Sequence, residues 1–148
     1  MKKSSPKSKK PRGLRNNNPL NIRRGNTRWL GMRFLQLDKD FCQFSSMEYG
    51  FRAAFKVLST YYHKHHLTTI EKMISRWAPP NENNTLRYID FVAKYTGIES
   101  DSILYPPHNN EPTWMLLVEA MTVVECGTWN NELLEAEKQG YYLAFKKK

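Results

Sequence analysis

The chain has little of what a redox, metal or nucleotide enzyme needs. Only two cysteines occur in 148 residues, Cys42 and Cys126, and their spacing fits no metal or redox motif. Reduced, buried thiols are the expectation for a chain without an export signal. There is no P-loop, GxGxxG, Ser-centred elbow or CxxC pair. "HKHH" offers imidazoles at His63, His65 and His66, but no nearby carboxylate completes a metal set, so it reads as a polar helix end. Nothing in these motifs points to a metal site or to a nucleotide or redox cofactor. No apolar run approaches the roughly 18 residues that span a bilayer. After "MKKSSPKSKKPRG" no apolar h-region follows, so a protein made in the cytoplasm without a signal peptide is predicted.

Acidic residues are missing from one end. Residues 1–33 hold 11 of the 23 Lys and Arg and no Asp or Glu, leaving 12 basic against 14 acidic over residues 34–148. The net charge of +9 therefore belongs to the N-terminal end rather than to the fold. Residues 1–12 read as a disordered basic arm. Over residues 2–15 it can meet DNA, anionic lipid or an anionic wall polymer, or act only as a solubilising tail. The remainder, 13–148, is long enough for one domain with one core, and a monomer is expected.

What is present is mostly helical patterning. "RGLRNNNPLNIRRGNTRWLGMRFLQLDKDFCQF" is broken by Asn, Gly and Pro, and "RFLQL" and "FCQF" alternate, which predicts turns and a short β-hairpin. From Met47, apolar residues recur at helical spacing through Tyr62, with Ser45 as N-cap and Glu48 at N3. Thr68 and Glu71 form a second capping box before Ile70, Met73, Ile74 and Trp77, and Pro79 and Pro80 end that helix. A third helix spans roughly Thr85–Thr96 and stops at Gly97. Pro112 opens an apolar helix that ends at Cys126 with Gly127 behind it, and a last amphipathic helix covers about Asn131 to Gln139. The predicted class is α+β, mostly α-helical, with a small N-terminal β-hairpin.

Among the carboxylates, Glu48 and Glu71 are explained by capping, while Asp38 and Asp40 suit turns. Glu82 lies in the proline loop "WAPPNENNT", near Trp77, and Glu119 is mid-helix, where it can snorkel. Glu125 stands apart in "AMTVVECG". Its wheel neighbours Val118 and Met121 are apolar, and it sits at the negative end of the helix dipole. Desolvation and dipole both favour a neutral carboxyl, which a general acid requires. The bland alternative is a helix-end side chain reaching water. Asn16, Asn17, Asn18 and Asn21 cluster with Trp29, a set that grips sugars through amides and a flat indole, although the same residues also make turns.

"RNNNPLNIR", "RWLG", "FCQFSSMEYG" and "RWAPPNENNT" together resemble a family of phage-encoded, virion-associated structural proteins over about Arg12–Gly97. A second resemblance is to lysozyme-like peptidoglycan hydrolases, of the flagellar-type glucosaminidase and lytic transglycosylase kind. In those an apolar helix ends in a catalytic Glu, a small residue and Gly, ahead of an Asn-rich segment with a hairpin. Here that order is reversed, implying a circular permutation, and Cys126 stands where Ser is more usual. The resemblance implies a lysozyme-like fold that cleaves peptidoglycan glycan strands. It makes Glu125 the general acid, with Glu82, then Glu48, as candidates for a second carboxylate. Asn17, Asn18, Asn21, Trp29, Trp77 and Tyr88 would then line the glycan groove. Action at the cell wall after lysis, or from within a virion, would follow. The rival expectation is a non-enzymatic virion structural protein whose basic arm binds DNA.

Overall fold

The structure is a computed structural model that describes residues 10–81 and 83–146. The helices are α1 (Arg12–Arg15), α2 (Met47–His63), α3 (Ile70–Trp77), α4 (Thr85–Thr96), α5 (Glu111–Cys126) and α6 (Asn131–Phe145), with a 3-10 turn at Pro107–Asn109 before α5. Helix α2 lies along α6, α5 packs on α4 and α6, and α3 leans on α4.

The starts and stops follow local chemistry. Ser46 Oγ accepts from Tyr49 N and Thr69 Oγ1 from Lys72 N, each one residue later than the spacing predicts. Asn84 and Asn130 cap α4 and α6 in the same way. Gly97 and Gly127 take left-handed conformations, φ 75° and 76°, and close α4 and α5, where a side chain would be strained. Helix α6 runs on to Phe145, well past Gln139. Gly140 does not stop it, because that glycine lets α6 approach α2: a Cβ there would lie 2.5 Å from Phe51 Cβ.

The core is built around Trp114, Tyr141, Phe51 and Phe55, all essentially inaccessible. Phe55 meets Tyr141 edge-on at 5.2 Å, an arrangement aromatic quadrupoles favour. Trp114 Nε1 donates to Tyr105 O at 2.9 Å, so its polar tip is satisfied inside the core.

The expected β-hairpin is not formed. Among the described residues only two isolated antiparallel bridges occur, Arg23 with Phe41 and Met32 with Phe44. Side chains take the place of a strand ladder: Gln43 Oε1 accepts from Leu37 N, Gln36 Oε1 accepts from Gln43 N, and Gln36 Nε2 donates to Arg33 O and Gln43 O. The class is helical, with an irregular N-terminal segment over residues 10–46. Arg12 belongs to the folded part: it opens α1 and its guanidinium binds Asp38 at 2.7 Å through two nitrogens. That pairing holds the Asp38 carboxyl well below the usual range. The rest of the expected arm, residues 1–9, lies outside the described residues.

The segment is clamped to α2 at Gly50, where a Cβ would fall 2.0 Å from Asn17 O and 2.8 Å from Pro19 Cδ. The obstacle at Asn17 is backbone and has little room to give. Gly50→Ala is therefore expected to cost roughly 1–3 kcal/mol; a denaturation midpoint unchanged from wild type would show that the clamp is looser than this.

Candidate functional site: a groove centred on Glu125

Helix α5 carries its apolar face, Trp114, Leu117, Val118 and Met121, into the core. That burial delivers its last turn to the surface between α3, α4 and the N-terminal segment. Glu125 emerges there half-buried, at a groove, rather than enclosed as the apolar sequence predicts. Cys126 anchors the same turn: its thiol lies 3.3 Å from Pro19 O, within donating distance. Burial first, then the Glu125 charge, pushes that thiol up to about 12, so it serves as a packing group and not a nucleophile. Cys42 is also buried and both cysteines are free.

Three side chains from separate elements converge on the Glu125 carboxyl. Asn21 Nδ2 donates to Oε1 at 3.0 Å. Trp77 Nε1, from the last residue of α3, reaches Oε2 at 3.3 Å. Tyr88 Oη, from α4, reaches the same oxygen at 3.0 Å. The amide nitrogen and the indole can only donate, while the phenol can donate to a carboxylate or accept from a carboxylic acid. The constellation thus has a hydrogen-bonding arrangement for either form of Glu125, changed by turning one hydroxyl. Tyr88 itself stays protonated, because burial, and next the Glu125 charge, raise it well above its ordinary value.

Asn21 is held in place with some strain. Its φ is 55°, a left-handed conformation that Asn tolerates better than most residues. Its Oδ1 is buried without a partner among the described residues, a cost that proteins rarely bear away from a working site. Asn18 sets the turn before it. Its side chain donates to Ile22 O and Cys42 O and accepts from Ile22 N.

Two cavities meet at this carboxyl. One, of about 400 Å³, runs past Arg23, Phe41, Tyr61 and Trp77; the other, of about 550 Å³, runs past Arg87, Tyr88, Phe91 and Val124. Both are lined by Asn83 and Glu125, so the Glu125 side chain borders each, and the two cavities together make up the groove. Spaces of this size and makeup, apolar faces with a few convergent polar groups, are typical of small-molecule sites.

The expected site residues divide clearly by position. Asn21, Trp77 and Tyr88 touch Glu125. Asn18 is wholly buried and cannot reach a ligand in the groove; Asn17 has φ 52° and donates to Phe44 O. Trp29 packs on the small core of Ile22, Cys42, Phe44 and Ala53 and lines neither cavity. Glu48 opens on a separate cavity with Asn17, Asn130 and Glu132. Glu82 lies outside the described residues. Among the described residues Glu125 is the only carboxylate lining the groove, and no group of three His, Cys, Asp or Glu is placed to hold a metal. Of the groove's other lining residues, Tyr61 falls within the apolar stretch of α2, and Arg23, Phe41 and Arg87 carry no signal in the sequence. The places of Arg23 and Phe41 depend on the turns of residues 17–44, which periodicity does not encode, while Arg87 lies on α4 one position before Tyr88.

No family model matches the chain. It is 41% identical over 137 residues to Protein P5 of Pseudoalteromonas phage PM2, a match covering 90% of this chain and 82% of that protein. The chain belongs to the family of this phage protein.

Proposed function

We propose that the groove binds peptidoglycan glycan strands and that Glu125 is the general acid that protonates the glycosidic oxygen. The observation that carries this reading is the joining of two cavities at one carboxyl held by Asn21, Trp77 and Tyr88. Aromatic walls on both sides suit the flat faces of sugar rings. The amide of Asn83, on the wall of both cavities, suits their hydroxyl and acetamido groups. Proton transfer to the leaving oxygen would turn Glu125 into a carboxylate, which the three neighbouring donors then stabilise. Loss of the glycosidic bond leaves an oxocarbenium-like centre. Either a second carboxylate with water, or an intramolecular hydroxyl, must then quench it.

Incubating purified peptidoglycan with the protein tests the reading. Turbidity is expected to fall, and product masses separate hydrolysed ends from anhydro ends. Intact walls from several hosts after long incubation would count against it. Tyr88→Phe is expected to lower the rate of strand cleavage by roughly 10–100-fold, the worth of one hydrogen bond to a charged group, while leaving the melting temperature within a few degrees. An unchanged rate would remove Tyr88 from the machinery.

The second reading is a non-enzymatic virion component whose basic end contacts DNA. Membership of a phage protein family fits it without any requirement on the groove. The concentration of 11 Lys and Arg in residues 1–33 favours it. Affinity for DNA that falls steeply as salt rises, with no effect of groove substitutions, is the outcome it expects.

A further inference from the structure

The segment after Trp29 keeps its backbone tied down and turns its large apolar side chains outward. Phe34 is 90% exposed, Leu37 81%, Leu35 65% and Leu30 56%. The exposure does not come from a loose loop. Arg33 N donates to Gln43 O and Ser45 N to Gly31 O. The Arg33 guanidinium donates to Phe44 O and Arg15 O, and the Gln36–Gln43 pair fastens the other side. Four bulky apolar groups within eight residues are thus presented on a fixed finger, where burying any one would have been favourable.

The surroundings of the finger are basic. Arg28 donates to Arg33 O, Arg24 donates to Asp38 O, and Arg15, Arg24, Arg28 and Lys39 are all exposed. The nearby acids, Asp38 and Asp40, are both bound by Arg12. Five further lysines occupy residues 1–10. No described helix is long and apolar enough to cross a membrane, so any lipid contact of these helices lies at the surface.

We propose that the Leu30–Leu37 finger seats the protein on an anionic lipid surface. Phe34, Leu35 and Leu37 enter the acyl boundary, and the arginines and Lys39 meet phosphate headgroups. Side chains standing this clear of their neighbours suit a fluid layer better than the shaped packing of a protein interface. The contact would involve the same N-terminal segment that supplies Asn21, Arg23 and Phe41 to the groove, and it is independent of what the groove binds.

Co-sedimentation of the full chain with vesicles tests the proposal, using phosphatidylcholine alone or with about one third phosphatidylglycerol. Binding is expected to the anionic vesicles only. The double variant Phe34→Ser/Leu37→Ser should weaken it by at least about tenfold without lowering the melting temperature, since these side chains pack on little. Absence of binding to anionic vesicles overturns the proposal. Equal binding by the double variant also overturns it, by showing that charge alone is at work, as would an equal loss of affinity for a DNA duplex. If the double variant fails to fold, Phe34→Trp replaces it. An emission blue shift on adding anionic vesicles supports insertion, and an indole that stays in water overturns it.

Discussion

Glu137→Gln is expected to raise the unfolding free energy by roughly 3 kcal/mol near pH 7. Glu137 lies on the core face of α6, is inaccessible, and neither carboxyl oxygen has a partner among the described residues. Burial first, and then the charge of Glu119 on α5, raise it from an ordinary 4.5 to about 9. Tyr95, which donates to Glu119, also feels the charge of Glu137.

The sign follows from proton counts. Between about 4.5 and 9 the folded state holds a proton on Glu137 that the unfolded state has released. The contribution of this group is therefore fully present below the lower value. It is lost at about 1.4 kcal/mol per pH unit as pH rises toward the upper one. Glutamine carries the same burden of unpartnered polar atoms but cannot ionise, so the comparison isolates the charge. Denaturant unfolding of both proteins near pH 5, 7 and 8 should show curves that diverge with pH. Parallel curves would mean that Glu137 is solvated or paired in solution.

Glu137 was not legible in the sequence. In "NELLEAEKQG" it reads as one of several charges on an amphipathic helix, and only the position of Glu119 and the close approach of α6 to α2 reveal its cost. The same approach explains the length of α6, since Gly140 looks like a stop but is a contact. By contrast α4, with Gly97 behind it, and α5, with Gly127, were readable from periodicity and left-handed C-caps. Both capping hydroxyls were misplaced by one residue, because "SS" and "TT" offer two candidates and the box spacing favours the first.

The site divides in the same manner. Glu125 is visible because a carboxyl at the end of an apolar helix is anomalous wherever it lies. Trp77 and Tyr88 sit on regular helices whose faces can be followed, whereas Asn17, Asn18 and Asn21 share one local composition and end in three environments. Only Asn21 faces the groove; hydrogen bonds across 24 and 27 residues in sequence decide the others. Arg23 and Phe41 in the groove depend on the same turns. No local pattern announces them.

Whether Glu125 donates the proton in glycan cleavage is decided by comparing wild type with Glu125→Gln on purified peptidoglycan. Glutamine keeps the shape of the side chain and its place beside Asn21, Trp77 and Tyr88, but has no proton of suitable acidity to give. Turbidity loss is expected to be slower by about a thousandfold, some 4 kcal/mol in the barrier, from a variant that melts within a few degrees of wild type. Cleavage by a folded Glu125→Gln at an undiminished rate would contradict it.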